Sequence, residues 1–419
     1  MNKRSFLKTT LLSASAFAAL PMLSKSMKAF EHIPSEELAK NDDFWQTIYS
    51  KYKIKTEYIN LESGYYNIMP QEVLEKYINH LREINLLGAF YMRTVQAENK
   101  AKVTARLADL VGCSKEELII TRNTTESLDM IIAGQNWQTG DEAIIAVQDY
   151  GAMRDMFKQI SDRYGIKLIE VSIPLHPQSD NEIIELYAKA ISPKTKLMML
   201  CHIINITGQI LPVKKICDMA HNRGVQVMVD GAHAIAHLEF KIDDLNCDYY
   251  GASLHKWLCA PLGAGMLYIK KEHIPNIWPL LAEAPIDKEN VLRLNHTGTI
   301  PVHTDLAILD AINFYEIIGA KRKEDRLRYL QEYWTKQVRS TPKIILNTPE
   351  DSNRACAIAN VGIEGLSPAD LAIALFEKYK IYTVAIDGAE VHGCRITPNV
   401  FTRLEELDVL VMALKELAA

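Results

Sequence analysis

The 419-residue chain has no C-x-x-C pair, and its seven cysteines (Cys113, Cys201, Cys217, Cys247, Cys259, Cys356, Cys394) are odd in number and irregularly spaced. That spacing supports neither a disulfide framework nor a zinc site, and leaves most of them as small buried hydrophobes. There is no basic stripe and no zinc-finger spacing, and the formal charge is only −5, so nothing in the charge pattern calls for nucleic acid. Internal repeats and low-complexity segments are absent too. The apolar run from Leu11 to Leu23 is broken by serines and Pro21 and is too short for a secure membrane span.

What precedes that run is basic: Lys3-Arg4-Ser5-Phe6-Leu7-Lys8. A basic start followed by a short apolar stretch is the pattern of an export signal. It resembles a twin-arginine signal in which Lys3 replaces the first arginine. Met27-Lys28-Ala29 is a poor cleavage site, so an uncleaved membrane anchor or a general secretory signal stays open. The expected organisation is a signal over residues 1–30 that places the protein in the periplasm, and a linker with helical content over 31–58. A large domain follows over 59–302, and a small one over 303–419.

From residue 117 the chain alternates. Apolar strands at 117–121, 142–147, 166–171, 195–201 and 225–229 are separated by stretches of helical periodicity. Such alternation predicts an α/β fold with a parallel sheet covered on both faces. Residues 343–419 read as a smaller α+β unit, with Ser367-Pro368 as a helix start. Ligands of parallel sheets bind beyond the carboxyl ends of the strands. There this chain places Thr124, Thr125, Asp149, Tyr150, Asn205, Asp230 and His233. The turn at Arg122-Asn123-Thr124-Thr125, between a strand and a helix, suits an anion, although a threonine there could be no more than a helix cap.

The stretch Ser253-Leu254-His255-Lys256-Trp257 lies downstream of Asp230, before the turn Pro261-Leu262-Gly263-Ala264-Gly265. A lysine in an apolar setting, with an aspartate at a strand end, is what pyridoxal phosphate chemistry requires. The amine forms a Schiff base with the cofactor aldehyde, and the carboxylate keeps the ring nitrogen protonated.

In order and spacing, these residues resemble the class V aminotransferase family of fold-type I pyridoxal phosphate enzymes, from about Tyr58 to the C-terminus. The resemblance implies a mainly parallel seven-stranded sheet with a smaller α+β domain. It implies Lys256 as the Schiff-base lysine and Asp230 at the ring nitrogen. His233 and Asn205 would face the cofactor's phenolic oxygen. Thr124, Thr125, Ser253 and His255 would hold the phosphate. Thr299 would reach the phosphate of a neighbouring subunit, which implies a homodimer with shared sites. Arg395 would grip the carboxylate of a small amino-acid-type substrate, a task suited to its planar fork. Tyr150 is the aromatic available for ring stacking, or else ordinary core. Cysteine desulfurases of the family carry a cysteine shortly before that arginine. The segment Tyr382 to Gly393 has none, which argues against a persulfide mechanism. The turn after the third strand and the Asn-Thr-Thr-Glu run resemble the isopenicillin N epimerase-like branch. Epimerisation, transamination and C–S (β-elimination) lysis all remain open, beside a non-catalytic cofactor-binding role.

Overall fold

The computed structural model describes residues 23–283 and 285–419, so most of the expected export signal lies outside the described residues. The segment expected as a linker is packed. Helices α1 (Ser35–Leu38) and α2 (Asp42–Tyr49) form there. The side chain of Asn41 caps α2 by accepting from Phe44 N, and the helix buries Phe44, Trp45 and Ile48. Leu23 and Met27 are buried in the same core, so residues before 31 also contribute to it. Apolar residues at helical spacing need a surface to cover, and the large domain supplies it.

The chain continues through β1 (Ile59–Asn60), then α3 (Gln71–Leu87), α4 (Ala89–Thr94) and α5 (Gln96–Val111). Next come β2 (Leu118–Thr121), α6 (Thr124–Gly134), β3 (Glu142–Ala146), α7 (Gly151–Tyr164), β4 (Lys167–Val171) and α8 (Asp180–Ala190). They are followed by β5 (Thr195–Cys201), α9 (Val213–His221), β6 (Gln226–Asp230), α10 (Ile242–Leu245), β7 (Tyr249–Ser253) and β8 (Gly265–Ile269). These strands make the expected mainly parallel seven-stranded sheet, in the order β2-β8-β7-β6-β5-β3-β4. Only β8 runs antiparallel to its neighbours.

Side chains along a strand alternate between faces. Ile144, Met198 and Leu200 join one core, while Ala143, Ile145, Leu197 and Met199 join the other. Helix α5 covers the first face through Val103 and Leu107, and α6 and α7 cover the second through Leu128, Ile131 and Phe157. A sheet buried on both sides explains why its strands read as near-continuous apolar runs.

After α11 (Val302–Ile318) and α12 (Ala320–Val338) come β9 (Ile344–Leu346), β10 (Ala359–Ile363) and α13 (Pro368–Tyr379). The chain ends with β11 (Ile381–Tyr382), β12 (Val384–Gly388), β13 (Val391–Ile396) and α14 (Leu404–Ala418). Four of these strands form an antiparallel sheet in the order β12-β13-β10-β9, over a core of Leu330, Trp334, Leu371, Leu375, Leu410 and Leu414.

Two boundaries differ from expectation. Helix α11 was assigned to the small domain, yet Ile308, Ala311, Ile312 and Phe314 belong to the large core. It is apolar on most of its circumference, and such a helix must be buried. Strand β1 was assigned to the large domain, yet it pairs in parallel with β11, and Leu61 sits in the small core. The two cores are therefore interleaved in sequence. No described helix is long and apolar enough to cross a membrane.

Candidate active site

Strand direction brings the carboxyl ends of β3, β5, β6 and β7 and the start of α6 to one edge of the large sheet. A cavity of about 410 Å³ opens there. Thr124, Thr125, Tyr150, Asn205, Asp230, His233, Ser253, His255, Lys256 and Arg395 all line it. Thr299 does not; it is exposed in the turn before α11.

One end is built for an anion. The cap of α6 is Asn123, whose side chain accepts from Glu126 N at 2.9 Å, so neither threonine has that duty. Thr124 N–H donates to Ser253 Oγ at 2.9 Å, and Thr124 Oγ1 lies 2.7 Å from the same oxygen. The helix start adds free amides and the positive end of its dipole. A Cβ on Gly265 would stand 2.5 Å from Asn123 N, so β8 can pass this turn only as glycine. His255 Nδ1 is buried and makes no hydrogen bond among the described residues. Burial pushes the His255 imidazole down to about 4, so the ring is neutral beside the cavity.

The lysine end is a chain of hydrogen bonds. Lys256 Nζ lies 3.0 Å from His233 Nε2, and Trp257 Nε1–H donates to His233 Nδ1 at 3.2 Å. An indole N–H can only donate, so His233 carries its proton on Nε2, facing Lys256. Burial, and then the charge of Lys256, hold His233 well below the usual histidine range. Behind it, His237 stacks on Trp257 with ring centroids 3.8 Å apart. His237 also bonds to the His233 carbonyl at 2.8 Å and accepts from Ala357 N at 3.0 Å. Burial pushes the Lys256 amine down to about 8; Asp230 opposes that shift and Arg395 adds to it. Asp230 closes β6, with Oδ1 accepting from Ala232 N at 2.9 Å. Burial raises its pKa above the usual carboxylate value, against the pull of that amide and of Lys256.

The third part comes from the small core. Arg395 lies on β13 and is nearly buried, as is its partner Glu62. Removing one member of such a pair costs about 3–5 kcal/mol, because the other charge is left buried and unpaired. Glu62 belongs to a strap, residues 61–67, tied to both domains. Thr397 N donates to the Leu61 carbonyl at 2.8 Å, and Asn399 Nδ2 to Asn67 Oδ1 at 2.7 Å. On the other side Asn67 N donates to the His255 carbonyl at 3.1 Å. A Cβ on Gly64 would fall 2.7 Å from Arg395 Cζ, so glycine lets the strap lie on the guanidinium.

Glu62, Gly64, Trp257 and Cys201 are the site residues that sequence reasoning missed. An acid and a glycine directly after a short strand were the available signal for the first two. Tyr150 is 45% exposed at the cavity, which removes the reading of it as ordinary core. Cys201 donates its S–H to Asp149 Oδ1 at 3.3 Å, and burial holds it firmly as a thiol. Cys394 points away, into the small core, donating to the Pro368 carbonyl. An anion cradle, an amine near neutrality and a buried acid in one cavity fit the phosphate, aldehyde and ring nitrogen of pyridoxal phosphate.

The model of the Aminotransferase class-V family matches residues 67–399. Isopenicillin N epimerase of Streptomyces clavuligerus is 25% identical over 391 residues, covering 89% of this chain and 98% of the relative. Among solved structures, the apo cysteine desulfurase of Thermococcus onnurineus NA1 superposes with a TM-score of 0.79 at 20% identity, over 89% of this chain and 98% of that one. A lysine-to-alanine variant of C-DES, with glycine covalently linked to its pyridoxal phosphate cofactor, gives 0.78 at 21%, over 86% and 97%. C-DES is described as a cystine C–S lyase. At these identities the two structures share the fold.

Proposed function

Because the chain belongs to the aminotransferase class-V family, we propose that it is a pyridoxal phosphate-dependent epimerase that acts at the α-carbon of an amino acid or amino-acid-containing substrate. The observation that carries this is the Lys256 amine, brought down to about 8 and sharing one cavity with Asp230 and Arg395. Thr124, Thr125, Ser253 and His255 would hold the phosphate, and Asp230 the ring nitrogen. When bound, the cofactor supplies a sink for the electron pair left at the α-carbon. Lys256 takes the α-proton, a task for which an amine near neutrality is suited. His233 Nε2 lies 3.0 Å from the Lys256 amine and orients it; epimerisation is completed by return of a proton to the opposite face of the α-carbon. Arg395 orients the carboxylate, and the strap packs against Arg395 through Gly64.

The epimerase assignment is supported by the epimerase relative, which matches over nearly its whole length. A desulfurase needs a mobile nucleophilic cysteine. The segment 382–393 has none, Cys394 faces the small core, and Cys201 is locked against Asp149. In this proposal the enzyme is a homodimer whose Thr299 serves the partner subunit's cavity, which accords with its exposure outside its own. The Lys3-Arg4 start and the apolar run behind it make export part of the proposal.

The test is a panel of L- and D-amino acids, cystine included, with cofactor-loaded protein in deuterated water, followed by proton NMR. Deuterium at the α-carbon with interconversion of enantiomers and no keto acid is the expected result. Pyruvate with sulfur release would instead make it a β-elimination lyase, and keto acid an aminotransferase. No exchange with any member would overturn the reading.

The amine also sets a pH dependence. Only unprotonated Lys256 attacks an aldehyde. Capture of added pyridoxal phosphate, timed by absorbance, is expected to accelerate as pH rises toward about 8 and then level off. A rate still climbing tenfold per pH unit above 9, toward the ordinary lysine value of 10.5, would contradict the buried-amine geometry.

A further inference from the structure

The strap places a carboxylate where the cavity already has its arginine. Glu62 Oε1 accepts from Arg395 Nη2 at 2.5 Å and Oε2 from Nε at 3.3 Å. The carbonyl oxygen of Asn205 accepts from Nη1 at 3.2 Å. A guanidinium has one N–H on Nε and two on each terminal nitrogen. These bonds leave one N–H on Nη1 and one on Nη2 without a partner among the described residues. The side edge of the fork is thus occupied by the chain's own acid, and what remains is a donor on each terminal nitrogen.

The charges around the cavity point the same way. Among the described residues that line it, the cations are Arg122, Lys256 and Arg395. Each already has an acid. Arg122 pairs with Glu126 at 3.0 Å, Lys256 feels Asp230, and Arg395 pairs with Glu62. Burial keeps the two lining histidines, His233 and His255, neutral. A substrate with one carboxylate can use the two remaining donors of Arg395. A second carboxylate close to the α-carbon finds no unmatched cation in the lining, while Glu62, outside that lining, already adds its negative charge beside Arg395. Like charges brought together in a desolvated site repel strongly.

Resting on the reading that the substrate is an amino acid, we infer that Glu62 is a specificity-determining residue. It lets Arg395 hold one carboxylate and turns away amino acids whose short side chain carries another.

The test uses isosteric pairs. Cofactor-loaded wild type and Glu62→Gln are titrated with asparagine and aspartate, and with glutamine and glutamate, following the visible absorbance of the cofactor. Wild type is expected to bind each amide more tightly than its acid, on the order of tenfold or more. In Glu62→Gln both ratios are expected to fall toward one, because glutamine keeps an acceptor for Arg395 but removes the charge. Equal binding of asparagine and aspartate by wild type overturns the inference, even if the variant does not fold. An unchanged ratio in a folded variant overturns it too. A wild-type spectrum that no amino acid perturbs would overturn the amino-acid reading and this inference with it. Perturbation by amide and acid alike would overturn the inference alone.

Discussion

Lys256→Ala is expected to abolish the visible absorbance of lysine-bound pyridoxal phosphate and to slow α-proton exchange by at least about 10³-fold. The lysine has two duties. In the proposed mechanism it would be both the covalent anchor and the base, with a pKa that burial has brought to about 8. Alanine removes both and leaves His233 Nε2–H facing an empty position. His233 cannot replace the base, because Trp257 occupies its other nitrogen and fixes the proton toward the cavity. Phosphate contacts do not depend on the lysine, so the variant should still retain the cofactor through dialysis, as the free aldehyde. A small primary amine in the medium should then restore part of the exchange, which it could not do for a misfolded protein. Full turnover by Lys256→Ala would remove the central assignment.

Asp230→Asn is the second large effect, with kcat for α-proton exchange expected to fall about 10²–10³-fold, the scale of losing one preorganised electrostatic contact. Asparagine fills the same space and can still accept from Ala232 N, so the fold and the cavity should survive. What it lacks is the charge that, in the proposed mechanism, would hold a proton on the ring nitrogen. Because the loss falls on the transition state, kcat should carry it and KM should change little. Activity within about threefold of wild type would mean that the buried acid at the end of β6 is structural.

These two residues were legible in the sequence for a physical reason. Parallel strands buried on both faces read as apolar runs, and the point where each run stops marks the binding edge. Asp230 stops one run, Thr124 and Thr125 follow another, and Ser253 to Lys256 follow a third. Glu62 was not legible, because its meaning depends on a partner 333 residues away. Nor could Trp257 be recognised as the residue that sets the His233 tautomer, since an indole after a lysine looks like core. The domain boundaries failed where tertiary contacts outweigh chain order. Helix α11 follows the large domain's last turn yet still belongs to it, and β1 leaves its sequence neighbours to pair with β11. The short strand β9 and helix α4 are not legible in the sequence because few residues carry each period. The helical content of 31–58 puts Phe44 and Ile48 on one apolar face, and both are buried; Trp45, off that face in the sequence pattern, is buried with them.

The strap has a mechanical consequence. It is a tether of a few residues, bonded to the small core at Thr397 and Asn399 and to the lysine turn at His255. A wide hinge between the two bodies would break those bonds, which favours small sliding about the tether. Traffic into the cavity must therefore use its open rim, where the rings of Tyr65 and Tyr150 stand exposed. A small guest can enter by that rim without any separation of the two bodies.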